Sequence, residues 1–279
     1  MLNLVKHHLG RVRSGSGSCC HPRGAPTTGS ETFDELVDEG NDAPVDTWDF
    51  GWLDGRATEE RPSWRYFDRV AERAGAASSL LELQAGTGSM IGRLPERPPL
   101  AVATEGYPPS VAAAAPRLRR RGVHLVVTSQ TQQALPLKSD TFELAISRHP
   151  VEVWWREIAR VLRPGGRYFA QHVGPDSLRD LSEFLMGPQL NESRRDPSIE
   201  RRAAQRAGLE VREIRVERTR VAFADIGAVV YFLRLVPWIV PGFVVSAYEE
   251  RLRALHTLIE RHGAFETTSS RMLVDAVKP

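Results

Sequence analysis

Leu81-Glu82-Leu83-Gln84-Ala85-Gly86-Thr87-Gly88 is an apolar run that breaks into glycines. SLLELQ, ending at Gln84, reads as a short buried strand, and SMIGRL after Gly88 opens a helix. Gly86 and Gly88 permit backbone dihedrals closed to other residues and let backbone approach a ligand. The helix start that follows offers N–H groups with no intrahelical partner. Taken alone, two glycines after a strand fit a nucleotide site or a plain tight turn equally well.

Outward from this turn the chain keeps alternating. LAVATE, VHLVVT, FELAIS and RYFAQHVG read as further strands. Between them lie a helix over Ser110–Arg121 and a helix in VEVWWREIARVLRPGG, ended by Pro164 and Gly165. Upstream, Trp64, Phe67, Val70, Ala71 and Ala74 recur at helical spacing up to Gly75. Downstream, LEVREIRV and SRMLVDAVKP read as two late strands. Between those two, Asp225 is placed to cap an apolar helix, and Ser246 with Glu249 has the spacing of a capping box. Tyr248, Leu252, Leu255 and Ile259 make one stripe of that last helix. The alternation predicts an α/β fold, a seven-stranded mostly parallel sheet with helices on both faces. The expected organisation is a disordered tail over 1–30, an N-terminal cap over 31–75 and the sheet domain over 76–279. A helical insertion at about 224–264 would fold over the site, its apolar part 226–243 serving as a lid or as a core helix pair.

Composition narrows the function classes. Of 279 residues, 41% are hydrophobic and 26% charged, which fits a folded globular chain. The net charge of +2 provides no global field for nucleic acid or an acidic membrane. Arg119, Arg120 and Arg121 close a helix, where cations suit the dipole, and no aromatic platform accompanies them. Cys19 and Cys20 are adjacent in a Ser/Gly tail; they frame neither a disulfide scaffold nor a metal site. The N-terminus lacks the apolar core of a signal peptide, and Ile226–Val240, interrupted by Arg234 and Pro237, is short for a membrane span. The expectation is a cytoplasmic protein with no metal, acting on a small molecule.

Glu105 adds the second half of a site. It ends LAVATE, 17 residues past Gly88. An acid about 20 residues beyond a glycine turn can accept hydrogen bonds from both hydroxyls of a ribose. That spacing does not separate a dinucleotide, and hence a nicotinamide dehydrogenase, from an adenosyl cofactor.

ELQAGTG, ATEGY, ALPLKSDTFELAIS and EIARVLRPGGRYF, in this order, resemble the successive motifs of class I S-adenosylmethionine-dependent methyltransferases. The nearest branch is the one that includes ubiquinone and menaquinone biosynthesis enzymes, and the resemblance covers roughly residues 64–175. It implies a Rossmann-like methyltransferase fold and S-adenosylmethionine as cofactor. It places Gly86, Thr87 and Gly88 against the methionine part and Glu82 at its amino group. Glu105 would hold the ribose, Gly106 and Tyr107 would flank the adenine, and Thr131 and Gln132 would face its edge. Ser147 to His149 would line the reaction chamber.

His149, at the carboxyl end of the fourth strand, is the best-placed general base, with His172 second; each is also readable as a structural histidine. Arg148 is placed to hold an acidic substrate or to pair within the protein. Three positions depart from the family pattern. Gln84 stands where the first glycine of the loop is usual, Thr131 where an acid pairs with the adenine, and Glu143 where aspartate is usual. The first two keep a second reading open, a cofactor-binding regulatory or scaffold protein that has lost turnover.

Overall fold

The computed structural model describes residues 32–45, 50–129, 134–189 and 195–279. The expectations placed on residues 1–30, Cys19, Cys20, Thr131 and Gln132 lie outside these. An eight-stranded sheet has the order β1-β7-β8-β6-β5-β2-β3-β4. Its parallel part comprises β2 (Ser79–Leu83), β3 (Leu100–Glu105), β4 (His124–Val127), β5 (Phe142–Arg148) and β6 (Leu162–Val173). The late strands β7 (Glu210–Phe223) and β8 (Phe265–Val277) pair antiparallel, and β8 also runs antiparallel to β6. These seven are the strands the sequence predicts. The eighth, β1 (Ala57–Glu59), adds to the β7 edge.

β2 is buried at every position, as a strand covered on both faces must be. Helices α2 (Tyr66–Ala76), α3 (Ser89–Arg93) and α4 (Pro108–Arg120) join one core cluster built on Leu80, Ala103, Ile146 and Phe169. Helices α5 (Trp155–Val161) and α7 (Pro197–Arg206) share a second with Leu81, Val102, Ala145 and Tyr168. Neighbouring residues along β2, β3 and β5 therefore point to opposite clusters, which is the period of a pleated strand. A further helix, α6 (Arg179–Met186), follows β6.

A third apolar body joins α1 (Phe33–Asp42), α8 (Ile226–Leu235) and α9 (Val245–His262). α8 is buried on all sides apart from Arg234, so it is a core helix and not a surface lid. Arg234 interrupts the apolar run for a reason: its guanidinium donates to the carbonyls of Gly40 and Ala43 at the end of α1. α1 and α8 cross at Gly40 and Gly227. A Cβ on Gly40 would stand 2.3 Å from the Gly227 carbonyl oxygen, and one on Gly227 2.4 Å from that of Leu36. Asp225 caps α8 as expected, accepting from the Ala228 N–H at 2.8 Å, and both its oxygens also take Arg56. The β7–β8 ribbon carries this body past the carboxyl end of β6, because Val173 is already opposite Arg271.

Three local expectations are corrected. The capping box at Ser246 and Glu249 does not form; α9 starts at Val245 behind Val244, with no side-chain cap. Glu249 turns instead to Arg253, one turn along. The helix expected to run to Pro164 and Gly165 ends at Val161, and Leu162 already pairs with Phe142 in the sheet. Trp64 precedes its helix, since Arg65 at φ 48° breaks the helical geometry before Tyr66.

Candidate functional site

β2, β3, β5 and β6 end together at Leu83, Glu105, Arg148 and Val173. Ligands of open α/β sheets bind beyond such carboxyl ends, where chain connections leave in opposite directions. Here β3 and β5 flank β2, so the crevice opens over the turn that follows Leu83. In that turn Gln84 (φ 51°), Gly86 (φ 57°) and Gly88 (φ 68°) all take left-handed backbone. The two glycines serve different ends. A Cβ on Gly88 would meet Leu118 at 2.9 Å, so its bare backbone lets α4 pack close. A Cβ on Gly86 would meet nothing within 4 Å, so its bare backbone faces open space.

Glu105 is only 8% exposed, and its carboxylate is heavily engaged. Oε2 accepts the Gly86 N–H at 2.6 Å, and Oε1 accepts those of Gly106 and Tyr107 at 2.8 Å each. Glu105 therefore does not stand open in the cleft but ties the glycine turn to the loop after β3. A carboxylate has about four acceptor positions, so about one remains. Thr87 is held from α4, its carbonyl accepting from Arg117 at 2.9 Å.

Glu82 lies buried under the turn and accepts the Ile91 N–H of α3 at 3.0 Å. Burial pushes its pKa up to about 7, against the opposing pull of that bond and of Arg148. Gln84, in place of the usual glycine, does more than fill space. Its carboxamide donates to the Glu152 carbonyl at 2.6 Å and accepts the Val151 N–H at 2.8 Å, lashing the loop after β5 to the glycine turn. Ser147 is buried and lines a small pocket with Gln84, Pro150 and Tyr168.

His149 follows Arg148 in left-handed backbone at φ 55°. Its Nε2 is 2.9 Å from Nε2 of Gln171, and Oε1 of Gln171 accepts from the Trp64 indole at 2.8 Å. Tyr66 completes the same latch, donating to the carbonyls of Ser147 and Phe169. Burial pushes the His149 imidazole well below its ordinary pKa, and Arg271 and Arg148 reinforce this. His172 is wholly buried, bonds Tyr168 through Nε2 and leaves Nδ1 without a partner among the described residues. Its pKa is pushed down to about 3 by burial, which fits a structural histidine. Trp64 and Gln171 escape a sequence reading because Trp64 follows the apolar spacing of a helix and Gln171 sits inside a strand. Nor did spacing reveal the buried ion pair of Arg271 with Glu59, which links β8 to β1.

Among the described residues no cluster of histidine, cysteine and carboxylates has the makings of a metal site, and no helix is long and apolar enough to cross a membrane. A groove of about 540 Å³ between α5 and α7, lined by Trp154, Arg156 and Arg206 among others, contains none of the expected site residues.

Residues 81–170 match the family described as "Methyltransferase domain". That segment runs from β2 through most of β6 and contains the whole glycine turn and Glu105. Solved structures of this shape include YcgJ of Bacillus subtilis, with TM-score 0.54 and 15% identity, covering 77% of this chain and 98% of that one. A Bacillus halodurans C-125 protein assigned as a candidate methyltransferase gives 0.55 and 14%, covering 76% and 98%. A functionally unknown Deinococcus radiodurans R1 protein gives 0.56 and 12%, covering 88% and 99%. No curated protein matches the chain. The fold is thus Rossmann-like, with a segment at its centre that matches a methyltransferase domain.

Proposed function

We propose that this protein transfers a methyl group from S-adenosylmethionine to an oxygen, nitrogen or carbon of a small molecule. The carrying observation is the join of Gly86 to Glu105 across the ends of β2 and β3, beneath open space, inside the segment that matches the methyltransferase family. The chain's residues fit the cofactor. Gly86 leaves room for it, Glu105 retains acceptor capacity for the ribose, and Glu82 supports the turn from below. When bound, the cofactor supplies an already activated sulfonium methyl. The protein then has to align the acceptor with that methyl and exclude water. Gly106 and Tyr107 would flank the adenine, and the loop from Ser147 through Val151 would border the acceptor. Thr131 and Gln132 keep the adenine-facing role that the resemblance gives them. Within the family we keep the ubiquinone and menaquinone branch as the nearest guide, on the LPLKSDTFEL and RVLRPGGR blocks. The cytoplasm is our reading of its compartment, from cysteine usage alone.

A second reading is favoured by two observations. The Gln84 carboxamide and the triple engagement of Glu105 would suit a protein that binds the cofactor and no longer turns it over. Calorimetry on cofactor-stripped protein, with S-adenosylmethionine and its demethylated product, tests the shared part. One site per chain is expected, and no heat at millimolar ligand would end both readings. Methylated product from any offered acceptor would then exclude the second.

A further inference from the structure

Trp64, Gln171 and His149 form a chain of side chains in which one end fixes the other. An indole N–H can only donate. Trp64 therefore requires the oxygen of the Gln171 amide to face it, at 2.8 Å. The amide nitrogen of Gln171 then faces Nε2 of His149, at 2.9 Å, and an amide NH₂ can only donate. Nε2 must accept, so the ring proton sits on Nδ1. The backbone repeats the constraint, because the His149 N–H donates to the Gln171 carbonyl at 2.7 Å. Trp64 and Gln171 are buried, at 5% and 6% exposure, so water does not compete for these bonds.

We propose that His149 is locked as the neutral Nδ1–H tautomer and so presents a hydrogen-bond donor, not a base, to the acceptor molecule. This rests on the proposed function and replaces the general-base role that sequence position suggests for His149. Its one ring lone pair is already taken by Gln171, so it does not collect a proton from the acceptor there. Nδ1–H makes no bond with the described residues, and His149 as a residue is not wholly buried. Burial keeps the ring uncharged, and the nearby Arg271 and Arg148 act in the same direction. Trp64 and Gln171 are thus positioning residues, acting through His149.

The test is nitrogen NMR of histidine-labelled protein at neutral pH, with His149→Gln to identify the resonances. Wild type should show Nδ1 protonated and Nε2 as the bare acceptor. Trp64→Phe keeps the ring packing but removes the indole donor; the Gln171 amide can then turn, and the tautomers should mix. Gln171→Leu should mix them as well, should Trp64→Phe fail to fold. A proton on Nε2, a charged ring, or tautomers indifferent to both variants would each overturn the proposal. No cofactor is needed for this readout, so a failure here is distinct from failure to bind S-adenosylmethionine.

Discussion

The amide of Gly86 donates to the Glu105 carboxylate at 2.6 Å, so the glycine turn and the proposed ribose acid are one hydrogen-bonded unit. With the N–H groups of Gln84 and Ala85 donating to Thr104, this bond closes the ends of β2 and β3 together. Two ribose hydroxyls would need more acceptor capacity than the carboxylate has left, so binding must loosen the Gly86 bond. The Gly86 amide becomes a reporter: its exchange with solvent or its NMR shift should change when cofactor is added.

Glu105→Gln follows from the same geometry. The variant keeps the shape, loses the charge and turns one acceptor into a donor facing backbone N–H groups. Charge-assisted hydrogen bonds are worth about 1.5–3 kcal/mol each. Cofactor affinity should fall about 10- to 100-fold, since about 1.4 kcal/mol is tenfold. The ligand-free melting temperature should fall too, by about 3–10 °C, because at least one backbone donor loses its acceptor and the others lose the charge they point at. A melting temperature equal to wild type would mean that these bonds are not made in solution.

Gln84→Gly separates space-filling from tethering. Glycine takes left-handed backbone without the cost of about 1–2 kcal/mol that other residues bear. That gain offsets the loss of two bonds worth about 0.5–1.5 kcal/mol each, so the melting temperature should barely move. Exchange of the Val151 amide should quicken by about tenfold or more, since its acceptor is gone. Cofactor binding should hold or tighten. Weaker binding would show that the Gln84 carboxamide itself contacts the cofactor.

How much of this was readable beforehand depends on range. The strand–turn–helix at 79–93 and the acid at 105 were legible because apolar runs and glycines act locally. The seven-strand sheet followed from alternation alone. β1 was not legible: three residues are too few to carry a period, and Glu59 pairs with Arg271, far along the chain. The Ser246 box had the right letters, yet the helix started one residue before it. The engaged state of Glu105 was also hidden, because its partners are backbone amides that any sequence possesses.

Gly227→Ala tests the packing of α1 on α8. The added methyl would sit 2.4 Å from the Leu36 carbonyl oxygen, which backbone cannot yield without moving a helix. Overpacking of this kind costs about 1–3 kcal/mol. At about 2–4 °C per kcal/mol for a chain of this size, the melting temperature should drop by about 2–12 °C. A drop with cofactor affinity retained would show that this body is built apart from the ribose site. An unchanged midpoint would show that α1 does not rest on α8.

Glu82 should leave a mark on stability against pH. Unfolded, it releases its proton near 4.5; folded, burial holds the proton until about pH 7. Its contribution to stability is therefore complete below about pH 4.5 and is lost as pH rises through 7. The difference amounts to about 3 kcal/mol over that window. His172 works the other way. Its folded pKa of about 3 makes the native state resist protonation, so its contribution is lost as pH falls below about 6.5. The two slopes overlap in wild type, and Glu82→Gln isolates the first. The amide of this variant has no proton to lose, and its oxygen can still accept from the Ile91 N–H. Measured by denaturant unfolding, the variant should gain on wild type steadily from pH 4.5 to 7.5, by about 3 kcal/mol in total. A difference that stays flat across that range would mean that Glu82 titrates like a solvated carboxylate, and that the ground beneath the glycine turn is wet.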